Sequence, residues 1–266
     1  YNIANQNDID AINLIRKLNL DIVVDLMGVT STNRVTLFGN RIAPTQISWL
    51  GYCNTMGIKN MDYLISDPNL IYPDEKELYS EKILYLPSIW NCHSGLRSER
   101  IEIETPAIKN KFITFGSFNN YNKINDEVIE VWLNILKKIP NSRLLLKSST
   151  KKENDEFKKF IQKEHLEDRV IFLPTAKNFE DHINLYKNID IALDTFPWNG
   201  VTTSFEAIWM GIPVITMKGY NFNSRCGESI NKNIQMSELI AENKEDYVSK
   251  VLSLTSDIKK LSNIRK

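Results

Sequence analysis

The 266 residues can bury one large core or two modest ones, and 42% hydrophobic with 25% charged residues describes an ordinary globular protein rather than a disordered or fibrous one. Basic and acidic residues number 33 each, so no bulk charge recruits nucleic acid or an anionic membrane. Three scattered cysteines without CxxC spacing argue for a reduced, cytoplasmic setting and against a disulfide or zinc framework, and no apolar run approaches the ~20 residues that span a bilayer.

No signal peptide is recognisable, and a start at Tyr1 rather than Met suggests a piece of a longer polypeptide. Ile9, Ile12, Ile15 and Leu18 recur at helical spacing and lead into an expected strand over residues 21–26, then Gly28. A glycine turn at a strand end commonly borders a ligand crevice. Residues 33–40 are expected to form a short helix. Residues 44–50 read as a strand followed by the loop 51–57, and residues 61–66 and 82–86 as further strands.

The stretch 98–111 is charged, carries Pro106 and lacks a period, and is taken as a lobe boundary. Beyond it βα alternation becomes regular, as in a doubly wound parallel sheet. Strands are expected over 112–115, 143–147, 170–173, 189–193 and 214–216. Val128, Val131, Trp132, Ile135, Leu136 and Ile139 mark one face of a strong helix that Asn125 or Asp126 can cap. A charged-faced helix carries Phe157, Phe160 and Ile161. Residues 179–187, 224–231 and 246–254 complete the helices, and no internal repeat is visible, a tetratricopeptide period included.

The stretch 190–216, DIALDTFPWNGVTTSFEAIWMGIPVIT, combines strand, loop, hydroxyl-rich helix start, helix and strand in one βαβ unit. Its helix N-terminus offers backbone N–H groups and positive dipole to an anion, most naturally a phosphate. The same residues also fit a plain capping box, Thr203 with Glu206, and the two readings are compatible. In the loop after the first strand of the second half, Lys123 lies close to a helix start, where a cation does not help that helix. It is a candidate phosphate ligand, with a solvated loop lysine as the alternative. His93, His165 and His182 are too dispersed for a metal cluster or a nucleophilic triad, so metal-free chemistry is expected.

LDTFPWNGVTTSFEAIWMGIPVIT resembles the nucleotide-binding segment of the O-linked N-acetylglucosamine transferase family, which includes the SPINDLY proteins. RIAPTQISWLGYCNTMGIKNMDYLISDP, YSEKILYLP and SFNNYNKI are similar to further family segments, so the resemblance runs through nearly the whole chain. It implies an α/β fold of the GT-B type with two Rossmann-like lobes: an incomplete N-terminal lobe over 1–105 and a nucleotide-sugar-binding C-terminal lobe over 106–266. It also implies metal-independent, inverting transfer of N-acetylglucosamine from UDP-N-acetylglucosamine to Ser or Thr of a protein or peptide acceptor, without a cofactor. Tetratricopeptide repeats would then stand upstream in a longer gene product.

By the same resemblance Lys123 is the catalytic cation that contacts the donor diphosphate, and Asn120 lies near the nucleotide. Thr202 and Thr203 hold the phosphate, with Val201 in the same turn. Glu206 hydrogen-bonds the ribose hydroxyls, His182 lies against the base, and the backbone at Ala176 reads the base. Leu50, Gly51 and Tyr52 approach the sugar and phosphates through backbone atoms. A surface histidine at 182 and a plain strand-to-helix turn at 50–52 are the bland readings.

Several positions depart from the family pattern. Val201 replaces a frequent His, Cys53 a usual Pro, Val29 a frequent His or Tyr, and Leu185 an Arg of some members. The family's N-terminal lobe begins earlier than Tyr1 and holds a histidine-bearing region near the acceptor, and no residue present is a convincing general base. Three alternatives follow: a nucleotide-sugar-binding module without catalysis, transfer of another sugar such as fucose from GDP-fucose, or a sugar-nucleotide epimerase, which would want acid/base carboxylates in the cleft.

Overall fold

The computed structural model describes residues 1–96, 104–147 and 151–266, apart from the side chains of 151–154 and 156. Residues 1–92 with 221–223 form one compact unit, and residues 93–220 with 224–266 form the other.

The first unit begins with α1 (Asp8–Lys17), capped where the Asn7 side chain accepts the Asp10 N–H. Its buried residues Ala11 and Ile12 share a core with Leu37, Phe38, Ile42, Met56 and Met61. Strands β1 (Ile22–Asp25), β2 (Thr45–Ser48), β3 (Tyr63–Ser66) and β4 (Lys82–Tyr85) pair in sequence order, all parallel. The helix expected over 33–40 shrinks to a 3-10 turn, Val35–Leu37. The Asn33 side chain takes the Val35 N–H and holds the chain in a local turn, and Gly39 follows at once. A side chain that competes for backbone groups works against helix propagation.

In the second unit α2 (Pro106–Asn110) lies in the stretch expected to be an unpatterned boundary. Part of that stretch, residues 97–103, lies outside the described residues, and the two compact units divide at 92/93, ahead of the boundary expected at 105/106. Then β5 (Ile113–Ser117), α3 (Asp126–Lys138), β6 (Ser142–Lys147), α4 (Lys151–Lys163) and β7 (Val170–Leu173) follow, then α5 (Phe179–Leu185) and β8 (Ile191–Leu193). The unit closes with α6 (Thr202–Trp209), β9 (Val214–Met217), α7 (Cys226–Asn233), β10 (Ile240–Ala241), α8 (Lys244–Thr255) and α9 (Ile258–Ile264). Helix α7 starts two residues later than expected, because Phe222–Ser224 forms its own 3-10 turn.

The parallel sheet runs β10-β9-β8-β5-β6-β7. One face packs under α3, α4, α8 and α9 through Val128, Trp132, Ile135, Phe157, Val251 and Leu261. The other lies under α5 and α6 through Ile183, Tyr186, Ala207 and Met210. With helices on both faces, all five residues of β5 are buried, Thr114 and Ser117 included. From β5 the chain winds outward through β6 and β7, then returns to β8 on the opposite side and winds outward again. The switch point therefore lies between β5 and β8, where a doubly wound sheet opens a crevice beyond its strand ends.

Candidate nucleotide-sugar site

The loops that leave β5 and β8 meet at that crevice. The first carries Phe118, Asn119 and Asn120 into a 3-10 turn, Tyr121–Lys123. The second carries Asp194 through Gly200 into α6, with a cis Phe196–Pro197 bond. Lys123 Nζ donates to the carbonyl oxygen of Asn199 at 2.7 Å and lies 5.3 Å from the centre of the half-exposed Trp198 ring. Thr203 Oγ1 donates to Asn119 Oδ1 at 2.8 Å, and Asn125 Nδ2 to the Phe196 carbonyl at 2.9 Å. Asn125 also caps α3 through the Val128 N–H. Three cross-links thus tie residues 119–125 to residues 196–203.

No side chain caps α6 at Val201. The capping box read from Thr203 and Glu206 does not form: Thr203 turns to Asn119, and Glu206 turns to α5 and the turn that follows it. That helix start keeps its uncapped N–H groups in the turn after Gly200, the arrangement that suits an anion. A Cβ at Gly200 would stand 2.7 Å from the hydroxyls of Thr203 and Ser204 and 2.9 Å from Asn119 Oδ1. Only glycine lets the chain pass this close.

Beneath the loop lies Asp194, which follows the last residue of β8 and is almost fully buried. Its Oδ1 accepts the N–H groups of Thr195 (2.9 Å) and Gly200 (2.7 Å), and its Oδ2 accepts the Thr216 hydroxyl at 2.8 Å. Burial pushes its carboxyl up to about 6, opposed by these hydrogen bonds and by the Lys123 charge. The Tyr247 hydroxyl donates at 3.0 Å to the Asp194 carbonyl, and burial, reinforced by the Asp194 charge, raises that phenol well above its ordinary value. Asn199 braces the loop from the other side, donating to the Thr195 carbonyl and accepting the Gly227 N–H.

Glu206, buried on α6, meets two donors at one oxygen: His182 Nε2 and the Tyr186 hydroxyl each lie 2.8 Å from Oε2. His182 sits on α5, whose N-terminus Asn178 caps. Tyr186 opens the 3-10 turn that follows, and its ring meets Phe118 edge-on with centroids 4.8 Å apart. Burial, then the Glu206 charge, raises the Tyr186 phenol well above its ordinary value.

Lys123, Val201, Thr202, Thr203, Glu206 and His182 are thus all carried by elements that converge beyond β5 and β8. Asn120 is exposed and accepts the Asn122 N–H with its side chain, so it shapes the turn that holds Lys123. Ala176 is half-buried in the loop between β7 and α5. Leu50, Gly51 and Tyr52 belong to the first unit, in the loop after β2. There Leu50 has a positive φ of 77°, and a Cβ at Gly51 would fall 1.9 Å from the Leu26 carbonyl oxygen. The backbone at Gly51 therefore packs directly on the loop that leaves β1.

Sequence reading missed Asp194, Asn199, Asn119 and Tyr186. Asp194 carried a usable signal, an acidic residue set directly after a fully apolar strand and six residues before a glycine. Tyr186 carried none, since an aromatic residue at helical spacing looks like core.

Residues 4–94 and 100–266 match the profile of glycosyl transferase family 41. The chain belongs to that family. It is 37% identical over 256 residues to the probable UDP-N-acetylglucosamine--peptide N-acetylglucosaminyltransferase SPINDLY of Solanum lycopersicum, a match that covers 95% of this chain and 28% of the tomato protein. The structure superposes with a TM-score of 0.87 and 31% identity on a mutant O-GlcNAc transferase of Thermobaculum terrenum, over 97% of this chain and 50% of that one. A pneumococcal O-GlcNAc transferase solved with UDP and GlcNAc shares the fold alone, at a TM-score of 0.57 and 14% identity, over 96% of this chain and 54% of that one. The chain thus spans between a quarter and about half the length of these relatives, and its fold class is that of the GT-B glycosyltransferases.

Among the described residues no group of three or more His, Cys, Asp or Glu could hold a metal ion, and no helix is long and apolar enough to cross a membrane.

Proposed function

We propose that this family 41 chain binds UDP-N-acetylglucosamine through its second unit and supplies the donor half of a transfer to Ser or Thr of a protein or peptide acceptor. The carrying observation is the cross-linked pair of loops at the switch point, with the Lys123–Asn199 and Thr203–Asn119 hydrogen bonds beside an uncapped helix start. In the transfer the acceptor oxygen forms a bond to the anomeric carbon, the bond from that carbon to the diphosphate oxygen breaks, and UDP leaves with the electron pair. Attack opposite the leaving group inverts the anomeric centre. Lys123 and the start of α6 answer the charge that develops on the departing diphosphate, so this part of the reaction runs on preorganised electrostatics and needs no metal. Glu206 accepts from the ribose hydroxyls, and His182 lies against the base beside Ala176.

The acceptor proton needs a base, and here a second reading has support. The two buried carboxylates at the site are committed, Asp194 to three donors and Glu206 to two. A chain with this site and no base in reach holds a nucleotide sugar without transferring it, and catalysis then requires residues of a longer polypeptide. Calorimetry with UDP and with GDP, beside an assay of UDP-N-acetylglucosamine with a Ser/Thr-rich peptide, separates the readings. Binding of UDP with peptide glycosylation supports the transferase, and binding of UDP alone supports the module. Preference for GDP would move the donor to another sugar nucleotide, and binding of neither would refute the proposal.

A further inference from the structure

The contacts of Glu206 are one-sided. His182 Nε2 and the Tyr186 hydroxyl both reach Oε2, and among the described residues no donor reaches Oε1. Two charge-assisted bonds on a single oxygen hold a carboxylate in one plane, which a single bond does not. The roles of the donors follow from chemistry. If Nε2 carried no proton, its lone pair would face a carboxylate oxygen at 2.8 Å, so Nε2 is the protonated nitrogen. The other ring nitrogen, Nδ1, is buried with no partner among the described residues. The Tyr186 hydroxyl has one proton and two acceptors in range, Oε2 at 2.8 Å and the Thr203 carbonyl at 3.2 Å. The shorter, charged acceptor wins it. The phenol is almost fully buried and its ring is wedged against Phe118, so the donor cannot swing away.

We propose that Tyr186, together with His182, is a positioning residue: the two lock one oxygen of Glu206 so that the other is presented to a vicinal diol, the ribose of the bound nucleotide. This rests on the reading of the site as a nucleotide-sugar site and adds to it a residue that never touches the ligand. It also explains why a tyrosine hydroxyl is kept in an otherwise apolar cluster of Phe118, Ile183, Ile189 and Ala207. A purely structural tyrosine would tie α5 to α6 equally well through the Thr203 carbonyl and would not care which sugar is bound.

The test compares UDP with 2′-deoxy-UDP and 3′-deoxy-UDP by calorimetry, on the unsubstituted protein and on Tyr186→Phe. The unsubstituted protein should prefer UDP over at least one deoxy analogue by about tenfold, as for one hydrogen bond to a charged group. Tyr186→Phe should weaken UDP by about fivefold, leave that deoxy analogue within about twofold, and so erase most of the preference. Equal weakening of all three ligands makes Tyr186 a structural residue and overturns the proposal, as does an unsubstituted protein without ribose preference. A folded, unsubstituted protein that binds no UDP removes the nucleotide reading itself, a different result from a lost preference. Should Tyr186→Phe fold poorly, NMR of the unsubstituted protein decides. A slowly exchanging Tyr186 hydroxyl proton and a proton on His182 Nε2 support the lock, and a rapidly exchanging hydroxyl or a ring protonated on Nδ1 alone overturns it.

Discussion

Replacing Asp194 by Asn tests how the loop between β8 and α6 is held. The two side chains have the same shape, so Asn can keep the Thr195 and Gly200 N–H groups on its oxygen and offer its amide to Thr216. What changes is the charge. Burial pushes the Asp194 carboxyl from 3.8 up to about 6. Between those values the native state holds a proton that the unfolded chain has released, so this group's contribution is fully present below pH 3.8 and is lost as pH rises through 6. The gap is worth about 3 kcal/mol at about 1.36 kcal/mol per pH unit, and about 2.5 kcal/mol of it falls between pH 4 and pH 7.5. Urea unfolding of both proteins across that range, followed by tryptophan fluorescence, isolates the effect, because every other titrating group is shared. The stability of Asp194→Asn relative to the unsubstituted protein should climb by about 2.5 kcal/mol from pH 4 to pH 7.5. A difference that stays flat with pH would refute the claim that the loop rests on a buried, desolvated carboxylate.

Lys123→Ala should weaken UDP by about 1.5–3 kcal/mol, the range for a charged hydrogen bond, and unchanged affinity in calorimetry would remove Lys123 from the site. The same variant deprives Asp194 of a neighbouring cation, so its pH-dependent window should move upward in the urea series. Gly200→Ala forces a Cβ against Thr203, Ser204 and Asn119; a cost of about 1–3 kcal/mol in thermal unfolding, with weakened UDP binding, is expected, and a neutral substitution would show that the turn is loose. Val201→His adds a side-chain contact to the departing phosphate while the backbone N–H groups of α6 stay in place. Turnover of UDP-N-acetylglucosamine, where the protein shows any, should therefore rise more than UDP affinity, and a large affinity gain without a rate gain would contradict this division.

Several strands were legible as short apolar runs between turn residues, and β7 begins and ends where its residues VIFL do. Helix α3 was legible through its apolar face and Asn125 cap. The turn at Val35–Leu37 was not, because a side chain two residues earlier competes for the backbone there. Short elements such as α9 and β10 escaped notice, being too brief for periodicity to register.

Local chemistry written along the chain therefore determined which residue types could serve a phosphate: a lysine in one loop, and glycine and paired threonines at one helix start. Periodicity and turn residues act over a few positions, so they declare elements and candidate groups without saying which groups meet. Which groups meet was decided by strand order. Placing β8 beside β5 rather than beyond β7 brings Lys123 to Asn199 and Thr203 to Asn119, across 76 and 84 residues of chain. The same packing turned Glu206 from a cap into a carboxylate held by His182 and Tyr186, because the cap competes with two donors that α5 and the turn after it supply.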